Sequence, residues 1–174
     1  WEIGARAATG DLLALPPDDV VYTPGFLDAV AKVAANAHNL YDMFSACYID
    51  NGAPITYQTL WCKEGMPILP LCGFTFTEAH RRLGGLDHRF NAVFWDADLY
   101  MSMVEAGGVT ALLADHTCQE QNSIRGLYAK HATVDGEVLK MLWPEPLHPG
   151  MKRSDARRSW EEVEVVVNTE KEVV

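Results

Sequence analysis

The stretch from Gly73 to Leu99, GFTFTEAHRRLGGLDHRFNAVFWDADL, decides how this chain is read. A threonine followed three residues later by a glutamate, Thr75 and Glu78, predicts a capping box that opens a short helix through Ala79-His80-Arg81-Arg82-Leu83. Gly84 and Gly85 supply the left-handed backbone that ends a helix at low cost, and Leu86 to Phe90 follows as an irregular turn. Asp96 then stands immediately before a second helix that Asp98 is placed to cap. Leu99, Met103 and Val104 recur at helical spacing, and Gly107-Gly108 is the stop. The pattern sets a carboxylate on a loop between two short helices.

Working outward, Asp11 to Leu15 is a short apolar run ended by Pro16-Pro17 and reads as a buried strand. Asp18-Asp19 falls at its carboxyl end, where ligands gather in open α/β sheets. Two adjacent carboxylates there suit a hard cation such as Mn2+ or Mg2+; taken alone, they read as a solvated loop. Thr23-Pro24 predicts a helix start, with Phe26, Leu27, Val30, Val33 and Ala34 on one face and an end near Asn39. Phe44 to Ile49 reads as a strand, Asp50-Asn51-Gly52 as its turn, and Ile55 to Cys62 as the returning strand. Beyond the second helix, Val109 to Ala114 is a strand leading to Asp115-His116-Thr117. Val134 to Leu142 is a further helix, stopped by Trp143-Pro144. Glu161 to Val167 alternates Glu with Val, the pattern of an edge strand able to pair with another element or another chain, so a homo-oligomer is expected.

Composition sets the outer limits. A chain of 174 residues, 48% hydrophobic, forms an α/β domain over residues 1–150, with 151–174 as a charged C-terminal tail or edge element. The formal charge of −10 argues against nucleic acid or an anionic membrane as partner. Lys152, Arg153, Arg157 and Arg158 read as a solvated basic tail. No run reaches the length of a transmembrane segment. Cys47, Cys62, Cys72 and Cys118 show no zinc-type repeat, which points to reduced thiols and a cytoplasmic setting.

At Leu83-Gly84-Gly85-Leu86-Asp87-His88-Arg89-Phe90, Trp95-Asp96-Ala97-Asp98-Leu99 and Gly107 the sequence resembles the family 2 glycosyltransferases of GT-A fold. Their acceptor-side signature is a helix, Gly-Gly-Phe-Asp-x-x-Phe, then Glu-Asp-x-Asp-Leu and a later glycine. Trp95 stands where the family usually has Glu, and Ser102 where it often has Arg. Asp18 and Asp19 match the last two positions of the family's Asp-x-Asp motif, with Pro17 in place of the first. The likeness covers about residues 3 to 118, and it implies that a nucleotide-binding βαβ region precedes them in the family.

The resemblance implies a GT-A-like mixed sheet flanked by helices, possibly truncated. It implies a hexosyltransferase-type enzyme moving a sugar from a nucleotide-sugar donor to a glycan or other hydroxyl acceptor, inverting and assisted by Mn2+ or Mg2+. Asp96 would be the general base, although local pattern alone makes it a second helix cap. Asp19 and His116 would hold the metal, the bland reading of His116 being a surface histidine at a strand end. Asp18, Gly73, Trp95 and Asp98 would contact substrate; a tryptophan in so apolar a chain is more often core. The alternative is a catalytically inactive carbohydrate-binding or assembly module of the same fold.

Overall fold

The computed structural model describes residues 1–16, 19–50, 52–55, 69–120, 125–144, 150 and 152–157. In chain order the elements are α1 (Glu2–Ala7), β1 (Leu12–Ala14), β2 (Val20–Tyr22), α2 (Phe26–Ala34), β3 (Met43–Asp50), β4 (Ala53–Ile55), β5 (Phe74–Phe76), α3 (Thr77–Arg82), α4 (Trp95–Glu105), β6 (Thr110–Glu120) and α5 (Arg125–Leu142). The strands form one mixed sheet in the order β1-β5-β3-β6-β2, with β4 added to β3 as a hairpin. Among the described residues only β3 and β6 pair in parallel; β5 runs antiparallel to both of its neighbours. The α/β class follows from this arrangement.

Side chains alternate across a strand, so β3 feeds two cores. Met43 enters a cluster with Leu69, Ala79, Leu99, Met103, Leu139 and Leu142, built mainly from α3, α4 and α5. Phe44 and Ala46 face the other way, onto Phe26 and Val30 of α2. Ala111 and Leu113 of β6 join that second cluster as partners of Phe44 and Ala46. The register then jumps: Ala46 pairs with Leu113 but Cys47 pairs with Thr117, so Ala114-Asp115-His116 bulges out of the ladder. Three extra residues invert the inside-outside phase, and Cys118 is the next β6 side chain buried in this cluster.

α4 is the central helix. Every residue from Ala97 to Met103 is buried, which is the character of a helix enclosed on all sides rather than laid on a surface. It begins earlier than the sequence suggests, at Trp95 rather than after Asp96 or Asp98, so both acids lie inside its first turn and neither is the N-cap. The cap position is Phe94, a non-glycine residue at φ +62. The capping box at Thr75 does not form either. Strand pairing holds 74–76 extended between β1 and β3, and the helix starts at Thr77, whose hydroxyl donates to Gly10 O at 2.6 Å. Likewise α2 starts after Gly25 rather than at Pro24 and ends at Ala34, with Phe26 and Val30 inside and Leu27 exposed. The return strand starts at Ala53, paired with Asp50, two residues before the expected Ile55; residues 56–62 and the Glu-Val stretch 161–167 lie outside the described residues.

α1 is tied to the turn after α3. Glu2 accepts from the Leu86 backbone N–H (2.9 Å) and from Arg6 (2.8 Å), with His80 3.7 Å away. Burial pushes the Glu2 carboxyl up, but these donors outweigh it and hold it below its usual range. Gly84 and Gly85 both take left-handed backbone, at φ +80 and +81, as the double glycine predicts. A β-carbon at Gly85 would also meet Glu2 Oε1 at 2.5 Å. Gly85→Ala therefore combines backbone strain with a clash, and is expected to lower unfolding free energy by about 2–4 kcal/mol. Gly52→Ala, with the same backbone sign (φ +79) and open space around it, should cost only about 1 kcal/mol. Urea unfolding of the pair separates the two contributions.

Candidate functional site

The acidic residues of the Gly-Gly-Leu-Asp and Trp-Asp-Ala-Asp segments have different fates. Asp98 is fully buried. Its Oδ1 accepts from Trp143 Nε1 and from Arg153 Nε, each at 2.9 Å, and its Oδ2 accepts from Arg157 Nη1. Arg157 also donates to Ser102 Oγ (3.1 Å) and to the carbonyls of Leu83 (2.6 Å) and Gly85. Both carboxylate oxygens are thus occupied by protein donors, and Asp98 is not placed to meet a substrate. The described part of the charged tail, residues 152–157, is correspondingly not a solvated appendage. Arg153 is 9% exposed, packed as a strap that crosses α4 and neutralises it. Ser102, which stands where the resembled family often has Arg, receives the Arg157 guanidinium.

Asp87 belongs to the same network. Arg89 approaches it through Nη2 (2.6 Å) and Nε (2.9 Å), and Arg153 Nη2 adds a second guanidinium. Burial would raise its pKa, but these donors hold it far below the carboxylate range. Asp155 closes the ring by accepting from Arg89 (2.8 Å) and Arg153 (2.7 Å). A cavity of about 150 Å³ lies among Leu83, Asp87, Arg89 and Arg157, and a wider recess of about 560 Å³ flanks Ser102, Glu105 and Arg153. Neither is lined by Asp96, Gly73 or His116.

Asp96 keeps partial solvent access. It is half-buried in the first turn of α4, with Oδ1 accepting from the Ala97 N–H at 2.8 Å. One turn further on, Tyr100 is enclosed. Burial first, then the negative charge of Asp96, raises its phenol well above the usual value, so it stays a neutral donor. Its oxygen accepts from Gly73 N at 3.2 Å and lies 3.5 Å from Gly73 O. A side chain at Gly73 would strike Pro70 at 2.5 Å, which explains the glycine without invoking a ligand. The chain continues through Cys72, at φ +53, whose carbonyl accepts from Tyr22 (2.7 Å); Tyr22 stacks on Phe26 at 4.8 Å. Trp95 is half-buried, 6.0 Å from Trp1 between ring centres.

His116 sits in the β6 bulge. Its ring is 5.7 Å from Phe26, and Nδ1 is 3.4 Å from Thr23 Oγ1, which in turn accepts from Thr117 N at 3.0 Å. Asp19 precedes β2 whereas Thr23, the neighbour of His116, follows it, so the two expected metal ligands stand toward opposite ends of that strand. Among the described residues no three His, Cys, Asp or Glu side chains gather as a metal-holding group. The described donors therefore do not fit the Mn2+ or Mg2+ site that the resemblance implies; Asp18 lies outside the described residues.

Arg153 and Arg157 were expected in a solvated tail and instead bind Asp98, and Asp135 was not singled out from the sequence. Asp135 had a signal, since it shares a helical face with Leu139 and Leu142, and an acid on a buried stripe implies buried donors. The thiols of Cys72 and Cys118 hydrogen-bond each other, which lowers the Cys118 pKa. None of the three described cysteines is in a disulfide. Comparison with family models, with curated proteins and with solved structures returns no match for this chain.

Two outcomes test the network. Arg153→Met leaves Asp98 and Asp87 short of donors in a buried setting and should cost about 3–5 kcal/mol in urea unfolding. Lys152→Met, at an exposed pair with Glu105, should stay within about 0.5 kcal/mol. Asp87, Asp135 and Asp155 all have folded-state pKa values below their ordinary value. The unfolded chain therefore takes up protons first on acidification, and the stability these groups contribute is complete above about pH 5. It is lost from about pH 4 downward, through about 2 for Asp135. The urea midpoint should hold between pH 7 and 5 and fall between pH 4 and 2.5; a flat profile would show that these carboxylates are not engaged.

Proposed function

We propose that this chain is the acceptor-side part of a GT-A glycosyltransferase domain. It would transfer a hexose from a nucleotide-diphosphate donor to the hydroxyl of a glycan or related acceptor, with inversion at the anomeric carbon. The observation that carries this reading is the placement of the acids: Asp87, Asp98 and Asp135 each accept from several protein donors, while Asp96 lies half-buried in the first turn of a helix enclosed by the core.

Asp96 has the attributes of a general base. The N-terminal end of α4 favours its charged form, and Trp95 beside it limits its hydration. The acceptor O–H proton passes to an Asp96 carboxylate oxygen as the acceptor oxygen bonds to the anomeric carbon. The bond from that carbon to the donor diphosphate breaks, and the electron pair leaves with the nucleotide. Tyr100, locked to the Gly73 backbone, fixes the helix turn behind the base. The three described cysteines suit a reducing compartment such as the cytoplasm. No helix among the described residues is long and apolar enough to cross a membrane.

A second reading is a carbohydrate-binding or assembly module without turnover, favoured by the separation of Asp19 from His116 and by Pro17 in the acidic motif. Transfer assays distinguish the two. Asp96→Asn should reduce transfer by at least a thousandfold at unchanged thermal midpoint; retained activity in this variant would remove Asp96 from the chemistry, and saccharide binding without any transfer by the wild type would favour the module. Calorimetry of the donor with and without Mn2+, in wild type and Asp19→Ala, decides the ion. Metal-dependent heat that disappears with Asp19 brings an ion into the site, and identical heats leave it out.

A further inference from the structure

Asp135 lies on α5, 44 residues along the chain from the loop it holds. Its carboxylate is fully buried. Oδ2 accepts from the backbone N–H groups of Ala92 and Val93, both at 2.9 Å. The Asn91 N–H lies 3.1 Å from each oxygen, and the Asn91 side-chain amide donates to Oδ1 at 2.9 Å. Three consecutive backbone donors thus converge on one carboxylate, the kind of concavity that elsewhere grips an anion, here filled from within the chain. Burial raises the Asp135 pKa, but the Val93, Ala92 and Asn91 donors outweigh it and bring it to about 2.

The loop so gripped leads directly into the candidate base. Val93 is followed by Phe94, whose left-handed backbone is costly for a residue with a β-carbon and persists only where its surroundings enforce it. Phe94 O accepts the first α4 hydrogen bond, from Asp98 N at 3.0 Å, so the direction in which the helix starts is set here. α5 also runs close to the same residue: a β-carbon added at Gly136, next to Asp135, would lie 3.6 Å from the Phe94 ring. Val138, Leu139 and Leu142 pack α5 into the core around α4 independently of the carboxylate. Removing the charge therefore releases the loop without undocking the helix.

We propose that Asp135 is the positioning residue of the Asp96 site: by clamping the Asn91–Val93 amides it enforces the Phe94 turn and so aims the Asp96 carboxylate. The part of this proposal that concerns turnover rests on the transferase reading. Asp135 touches no reacting atom. A base displaced by about 1 Å can lose on the order of a hundredfold in rate, so the clamp has a kinetic signature distinct from simple stabilisation.

The test compares wild type, Asp135→Asn and Asn91→Ala, all assayed well below their thermal midpoints. Asp135→Asn should lower kcat by about 30- to 100-fold with donor KM within twofold, and Asn91→Ala, which removes one donor only, by about two- to fivefold. Amide exchange at residues 91–93 should accelerate in Asp135→Asn, and the Asp96 carboxyl titration followed by carbon NMR should shift its midpoint. If Asp135→Asn folds and keeps wild-type kcat, or if the exchange and the Asp96 titration do not change, the positioning role is overturned. Should Asp135→Asn fail to fold, Asn91→Ala decides, and an unaltered kcat and Asp96 titration in that variant overturn it. If the wild type shows no transfer at all, the transferase reading falls, while exchange and titration still judge the clamp.

Discussion

A carboxylate with no access to water, Asp98, is the constraint on which the rest of this structure depends. An isolated charge in that position would be prohibitively costly, and it is tolerated because three donors from the C-terminal part of the chain reach it: Trp143, Arg153 and Arg157. The same guanidinium groups bind Asp87 and the carbonyls of the turn after α3. The central helix, the double-glycine turn and the strap of residues 152–157 are therefore parts of a single electrostatic unit. None of the three can shift without exposing a charge that the others were satisfying.

That unit explains why neighbouring acids diverge in role. Asp96 and Asp98 are two positions apart and point to different sides of α4, one toward solvent and one toward the strap. The interior side is saturated with hydrogen-bond donors and rigid. The outer side is held by different means, through the Tyr100 phenol on the Gly73 backbone and the Asp135 carboxylate on the loop before the helix. A carboxylate that must receive a proton at a defined place benefits from such a frame, because it is fixed by groups that do not themselves compete for the proton.

Much of this architecture was legible in the sequence where a local rule acts alone. The Leu12–Ala14 and Met43–Asp50 strands, the Phe26 helix, the Gly84-Gly85 turn and the Gly107 stop all follow from short-range patterns. Failures occurred where a long-range partner overrode the local signal. Thr75 and Glu78 have capping-box spacing, but pairing to β1 and β3 claims Thr75 for the sheet. Asp98 has the spacing of a cap, yet its donors lie 45 to 59 residues further along the chain. Arg153 and Arg157 resemble a solvated tail because Asp98 and Asp87, which bind them, lie 55 to 66 residues away in the chain. Asp135 carried only a weak local signal, an acid on the apolar face of its helix, because the Asn91–Val93 amides that it binds lie 42 to 44 residues away.

The three-residue excursion in β6 has a consequence for how this strand tolerates change. Ala111 and Leu113 face α2 before it and Cys118 faces α2 after it, because the pairings of Leu113 with Ala46 and of Thr117 with Cys47 fix the facing of each half. The three residues between stand outside the ladder, so a change in their number alters the size of the excursion and not the face that Cys118 presents. Length variation is therefore absorbed here without reaching the apolar layer.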